Sequence, residues 1–450
     1  MSLIYNATFD SQTRVLSLLD KAGNVISSCE VPSKDVDDIT KPLTFKATKD
    51  GSTVKLKKIG SPEGAFQTSR DGGNTWTDYT IGTDITLNNG DEVSFRAKAN
   101  RTSKQSRVDH FYFKMTGEIE AWHNVMSLWR TNDFATYNTL VESAFNSLFF
   151  RCTSLTKAPV LPATTLATDC YEFMFRGCQS LTKAPELPAT KLVYGCYSSM
   201  FSGCRSLTKA PVLPATTLAD YCYYRMFSGC RSLTKAPELP ATTLAAECYY
   251  EMFYGCQSLA KAPELPATTL AAECYELMFW GCQSLTKAPE LPATTLAESC
   301  YELMFQSCQS LAKAPELPAT TLAKSCYSEM FAGCQSLTKA PELPATRLAD
   351  YCYYRMFFGC QSLTKAPELP ATKLADYCYQ YMFYGCRSLK EVRIAATTTA
   401  TYALTEWLSR VAATGDFYCD PNATIFQTGS VSGIPQNWTR HALADYPVTP

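Results

Sequence analysis

Residues 256–281 read CQSLAKAPELPATTLAAECYELMFWG, and these 26 residues, lightly altered, recur through the middle of the chain. Ten cysteines mark the period: Cys152, Cys178, Cys204, Cys230, Cys256, Cys282, Cys308, Cys334, Cys360 and Cys386. Nine more form a second series from Cys170 to Cys378, and only Cys29 and Cys419 stand outside both. One such unit cannot bury its own apolar face, whereas stacked copies set each Leu, Met, Phe and Cys against its counterpart. The period therefore predicts a repeat solenoid. Strands stacked about 4.8 Å apart would make ten coils a rod roughly 50 Å long.

Inside each unit, Cys274, Met278 and Cys282 are spaced as on one helix face, which predicts a short helix ending at the Gly before the second Cys. The Leu-Thr-Lys-Ala stretch predicts a short strand, kept brief by prolines that lack an N–H. Both ends of the array depart from the consensus. In residues 144–152 Ala144 takes the first cysteine slot and Leu148 the Met slot. In residues 388–394 both prolines are given up for a stronger strand, and Ala403 to Leu408 read as an amphipathic helix closing the stack.

The run Met-Phe-x-Gly-Cys-x-Ser-Leu occurs nine times, with Ser307 once replacing Gly. On this signature the chain, over roughly residues 144–400, resembles the BspA-like leucine-rich repeats of Bacteroidales surface proteins and of phages that infect those bacteria. The resemblance implies a leucine-rich-repeat solenoid, with a short strand and short helix per coil, that serves adhesion. This chain departs from the pattern in carrying Ala-Pro-Glu-Leu-Pro where many relatives have a Leu- or Ile-rich strand.

The flanks read as small all-β modules. Residues 1–38 hold two apolar runs around Gly23-Asn24, a β-hairpin suited to attachment. Residues 42–116 alternate apolar and polar residues between turns such as 71–74 and 88–91, the pattern of a small β-sandwich. It resembles the β modules that precede such repeats in the same bacteria and phages. Residues 117–151 then form the N-terminal cap, 152–385 nine repeats, and 386–450 a C-terminal cap and β tail.

Composition narrows the function. Charged residues are 18% of the chain and the net charge is −1, with no basic stripe of the kind nucleic acid requires. No apolar run approaches the roughly 20 residues of a membrane span. The first residues lack the basic front and unbroken apolar core of a secretory signal, so either export by that route is absent or a signal has been removed. His110, His123 and His441 lie apart and outside any hydrolase or metal motif. The cysteines alternate at intervals of 18 and 8, not as the close pairs of zinc sites, and read as small buried hydrophobes. Stacked parallel side chains also suit disulfides poorly. The expectation is no enzyme, no cofactor and no metal. The Lys and Glu rows, such as Lys183 and Glu186, read as a solvated face with weak pairs.

The units can be compared with one another. Their differences gather in the two residues before the first Cys, the two after Cys-Tyr and the one before Gly. Those slots hold Tyr194, Tyr221, Tyr224, Arg225, Tyr250, Tyr254, Trp280, Tyr351, Tyr354, Arg355, Phe358, Tyr377, Tyr381 and Tyr384. Aromatic rings beside Arg on a rigid surface are the makings of a binding face for protein or for sugar rings. The expected partner is a protein or glycan on a cell surface, with other virion proteins held through the N-terminal segment and self-association left open. Three placements fit: a phage virion component (tail fibre, head fibre or decoration) used for host attachment, a bacterial cell-surface or secreted adhesin, or a purely structural virion protein.

Overall fold

The architecture, taken from a computed structural model, covers residues 6–10, 15–19, 25–30 and 36–446. Between the two cysteines of each unit the chain turns every four residues. Tyr221, Arg225 and Gly229 all have left-handed backbone, with φ of 60°, 53° and 73°. Three such residues per coil recur in eleven coils, from Ser143, Ser147 and Arg151 to Tyr402, Glu406 and Arg410. The N–H groups alternate in destination. Those of Tyr221, Tyr223, Arg225, Phe227 and Gly229 reach carbonyls of the next coil, Ala246 to Tyr254, at 2.7–3.2 Å. Those of Cys222, Tyr224, Met226, Ser228 and Cys230 close turns on the carbonyl three residues back. Every backbone donor of this stretch is thereby satisfied, as burial requires.

The solenoid stands, but the short helix expected in each coil is replaced by this ladder of turns, and no α-helix occurs among the described residues. Stacking distance gives the reason. Successive Tyr rings (Tyr171, Tyr197 and on to Tyr379) lie 5.7–6.0 Å apart. Helices are about 10–12 Å across with their side chains and cannot repeat at that spacing. The apolar pairs Cys-Tyr and Met-Phe recur every four residues and point inward; the pairs between them point out. Residues 403–408, expected as a closing helix, belong to a further coil of the same turns, with Tyr379 and Phe383 donating to the Ala403 and Trp407 carbonyls.

Opposite the turns, the expected strand shrinks to single parallel bridges at the lysines, such as Lys183 to Lys209 and Lys287 to Lys313. Prolines two and five residues later remove the donors that would extend it. Exposed threonines make a second row of bridges, Thr217 to Thr243 to Thr269 to Thr295. Of the lysine row, Lys157 pairs with Asp37 and Lys365 with Glu391, both at 2.8 Å.

The strands lie at the two ends. In chain order they are β1 (Asn6–Asp10), β2 (Val15–Leu19), β3 (Val25–Glu30), β4 (Thr44–Ala47), β5 (Ser52–Ile59), β6 (Phe66–Ser69), β7 (Thr77–Tyr79) and β8 (Ile85–Leu87). They continue with β9 (Glu92–Ala97), β10 (His110–Thr116), β11 (Ile119–Trp122), β12 (Leu155–Lys157), β13 (Lys365–Leu369), β14 (Glu391–Ile394), β15 (Gly415–Cys419) and β16 (Trp438–Ala442). β1, β2 and β3 form an antiparallel sheet, while the Gly23-Asn24 turn lies outside the described residues. The sandwich pairs a sheet of order β12-β11-β4-β9-β6-β7 with one of order β10-β5-β8. Phe45, Phe95 and Phe113 interlock between them at centroid distances of 4.7–5.6 Å.

The first sheet contains β12, which belongs to the first coil, so sandwich and solenoid share one sheet. Phe113 of β10 acts as a residue of the coil before the first. Its N–H donates to Leu148, its carbonyl accepts the Cys152 thiol at 3.1 Å, and its ring stacks on Phe149 at 5.5 Å. At the far end β13, β14, β15 and β16 form a parallel sheet, in which residues 391–394, free of the prolines of the other units, supply a true strand for its neighbours to pair with.

The second cysteine of each coil repeats the Cys152 contact: Cys178 donates to Phe149, Cys230 to Phe201 and Cys386 to Phe357, at 3.0–3.1 Å. These cysteines are therefore packing groups that also supply a weak donor to a carbonyl already used once. All twenty cysteines whose side chains are described are free and buried.

Two outcomes follow. Ser307, at φ 62°, stands where eight other coils have Gly. Ser307→Gly should raise stability and Gly281→Ser lower it, each by about 1 kcal/mol, read as opposite shifts of a denaturation midpoint. Burial pushes the Cys256 and Cys308 thiols up to about 12, so these and their ladder neighbours should resist thiol reagents at neutral pH until the protein is unfolded, as peptide mass spectrometry would read.

Candidate functional site

The outward pairs of the turn ladder form one strip running coil to coil, and every aromatic and Arg singled out from the sequence lies on it. Tyr194 is exposed and the other rings are half-buried, because each leans on its neighbour. The structure gathers them into two clusters. In the first, Tyr194 meets Tyr221 at 5.3 Å, Tyr224 stacks on Tyr250 at 4.9 Å, and Tyr254 stacks on Trp280 at 4.4 Å. Arg225 lies 5.0 Å from the Tyr224 ring centroid and is paired with Glu251 at 2.6 Å. In the second, Tyr351 stacks on Tyr377 at 4.5 Å and Phe358 on Tyr384 at 5.0 Å. Arg355 lies 5.0 Å from the centroids of Tyr354 and Tyr381.

Between the clusters the strip is acidic. Glu273, Glu276, Glu302 and Glu329 occupy outward slots of consecutive coils and partly share hydrogen bonds, Ser328 to Glu302 at 3.1 Å and Gln306 to Glu329 at 2.9 Å. Burial, followed by the charges of Glu302, Glu273, Glu247 and Glu251, pushes the Glu276 carboxyl up to about 8. Burial also raises Glu273, Glu302 and Glu329.

Sequence comparison missed the residues that come from outside the repeats or from their first coil. Arg107, on the loop before β10, clamps Glu172, with Nε 2.8 Å from Oε2 and a second bond through Nη2. Asn146 completes the carboxylate at 2.8 Å. The 65-residue separation of Arg107 and Glu172 leaves no local signal to read. Phe173 and Arg176 carry the strip one coil further, and Tyr402 and Arg410 extend its other end.

The histidines make local contacts. His110 Nδ1 lies 3.0 Å from the Ser106 carbonyl, the Asp38 N–H donates to His123 Nδ1, and His441 faces Asp416 at 2.8 Å. Among the described residues no group of three or more His, Cys, Asp or Glu is placed to hold a metal ion, and no helix is long and apolar enough to cross a membrane.

The raised Glu276 gives a signed pH dependence. A carboxyl whose folded pKa lies above its unfolded value stabilises most when protonated, and that contribution is lost as pH rises from about 4.5 to about 8. The denaturation midpoint of the native chain should therefore fall across this window. Glu276→Gln should flatten the fall and be the more stable protein at pH 8.

The family model of the BspA type leucine rich repeat region matches residues 132–260, 225–364 and 298–406, with six copies. No curated protein and no solved structure matches the chain. The matched span covers more than half of the chain, its repeats coincide with the stacked coils, and the chain belongs to the family of BspA type leucine rich repeat proteins, repeat proteins of surface and adhesion type.

Proposed function

We propose that the chain is a non-enzymatic adhesion protein whose outward turn strip is the recognition surface, carried on a phage particle that attaches to Bacteroidales cells. The observation that carries the recognition surface is the confinement of change. Inward Cys, Tyr, Met and Phe are nearly invariant over nine coils, while the outward pairs exchange Tyr, Trp, Arg, Glu and Ser on the same rigid backbone. A fixed frame with a varied aromatic surface suits binding, since rings already stacked lose little freedom when a partner covers them. In this reading residues 1–38 and the sandwich hold the particle, and the coils face a protein or glycan of the host.

Free thiols support assembly in a reducing cytosol, where phage particles are built: twenty buried cysteines are unpaired. A second reading, an adhesin on the bacterial surface, rests on the surface type of the family. Immunogold labelling of purified phage particles and of bacterial cells separates the two.

Purified protein should bind Bacteroidales cells in a pull-down, and a variant with Ala at Tyr221, Tyr224, Tyr250, Tyr254 and Trp280 should bind at least about tenfold more weakly. Equal binding by a folded variant would remove the strip as the recognition surface.

A further inference from the structure

In the coil of Cys196 the outward slots Gly195, Ser198, Ser199 and Ser202 are all small, between a coil that carries Asp169, Glu172, Phe173 and Arg176 and one that carries Tyr221, Tyr224 and Arg225. The result is a cleft of about 340 Å³, at the small end of ligand pockets of about 300–1,000 Å³. Ser198 and Ser199 form its floor. One wall is Phe173, whose ring centroid is 5.6 Å from the Arg107 guanidinium and 5.2 Å from that of Arg176. The other wall is the Tyr194, Tyr221 and Tyr224 cluster, with ring centroids 5.3 Å and 5.6 Å apart.

The cleft is built, not a gap left by accident. Glu172 is 1% exposed in its side chain and fixes Arg107 from the sandwich over the opening. Asp169 leans over Gly195 so closely that a Cβ there would lie 2.1 Å from its Oδ1. That Oδ1 is buried and has no hydrogen-bond partner. A buried carboxylate oxygen without a donor is costly, and a ligand hydroxyl reaching Asp169 would offset that cost.

Charge and shape select the ligand class. Glu172 neutralises Arg107 and Glu251 neutralises Arg225, leaving one Arg and one Asp, Arg176 and Asp169, among the lining residues. No net charge remains to demand an ionic ligand. The walls offer ring faces, the floor hydroxyls, and Asp169 an acceptor. We infer that this cleft binds a neutral pyranose unit of a cell-surface glycan, with the sugar's C–H face against the tyrosines and vicinal hydroxyls donating to Asp169. The inference rests on the adhesion reading and names its ligand.

The test uses the full chain and a panel of neutral gluco-, galacto- and manno-configured disaccharides, read by calorimetry and saturation-transfer NMR. Ser198→Tyr with Ser199→Arg fills the cleft with the side chains that Tyr224 and Arg225 already present in the next coil, so the variant keeps a fold the repeat tolerates. The native chain should bind at least one disaccharide. The filled variant and Asp169→Asn should each bind it at least about tenfold more weakly, while Lys287→Ala, in the lysine row opposite the turns, should bind as the native chain does. Binding undiminished in the filled variant overturns the inference, as does binding of cell-surface protein with no disaccharide bound. If the native chain still captures cells in that last case, the adhesion reading survives; if it captures none, that reading falls independently.

Discussion

Everything in the solenoid depends on backbone hydrogen bonds that leave one coil for the next at every second residue of the turn face. That pattern fixes the distance between coils at strand-like spacing on both sides. It excludes helices and requires a left-handed residue every four positions. An L residue in that conformation costs about 1–2 kcal/mol in isolation. Here it persists at Tyr221, Arg225, Glu247 and Glu251 because each of these N–H groups is bonded to the neighbouring coil and the rings behind are locked. The same geometry sorts side chains into inward and outward pairs, so packing and recognition fall on different residues of one short stretch.

The inward pairs explain the cysteines. A slot among Phe rings and Met thioethers, with a carbonyl at 3.0–3.2 Å, suits a small apolar side chain that can still donate. Serine would fit the donor role but bring a more strongly hydrated group into the core, and alanine would leave the carbonyl's second lone pair unused. An abundance of cysteine is therefore compatible with a protein that has no disulfide among its described residues.

The period, the stacking and the outward slots were legible in the sequence, because each is a property of one unit compared with the next. The helix was misjudged because Cys274, Met278 and Cys282 fit a helix face as well as a four-residue turn. Tyr275 and Phe279, at the same interval of four, fit both forms as well, so spacing alone does not separate them; the 5.8 Å stacking of Tyr275 on Tyr249 does, being too close for neighbouring helices. The cleft was not legible. Its small floor is visible in residues 195–202, but Arg107 arrives from the sandwich, and the orphaned Asp169 oxygen is a fact of three-dimensional packing.

Near-identical coils create a hazard of their own. A chain segment can pair with the wrong neighbour after slipping by 26 residues, and almost every contact of the correct arrangement is regenerated. The inward Cys, Tyr, Met and Phe of the middle coils do not mark which coil is which to the folding chain. The sandwich does. Phe113 offers a stacking face, a donor and an acceptor that only the Phe149 and Cys152 coil follows directly along the chain. It gives the array a unique origin from which the later coils are counted. Folding that grows outward from it settles each coil against the one before, and the position of every ring on the strip is set by distance from that single phenylalanine.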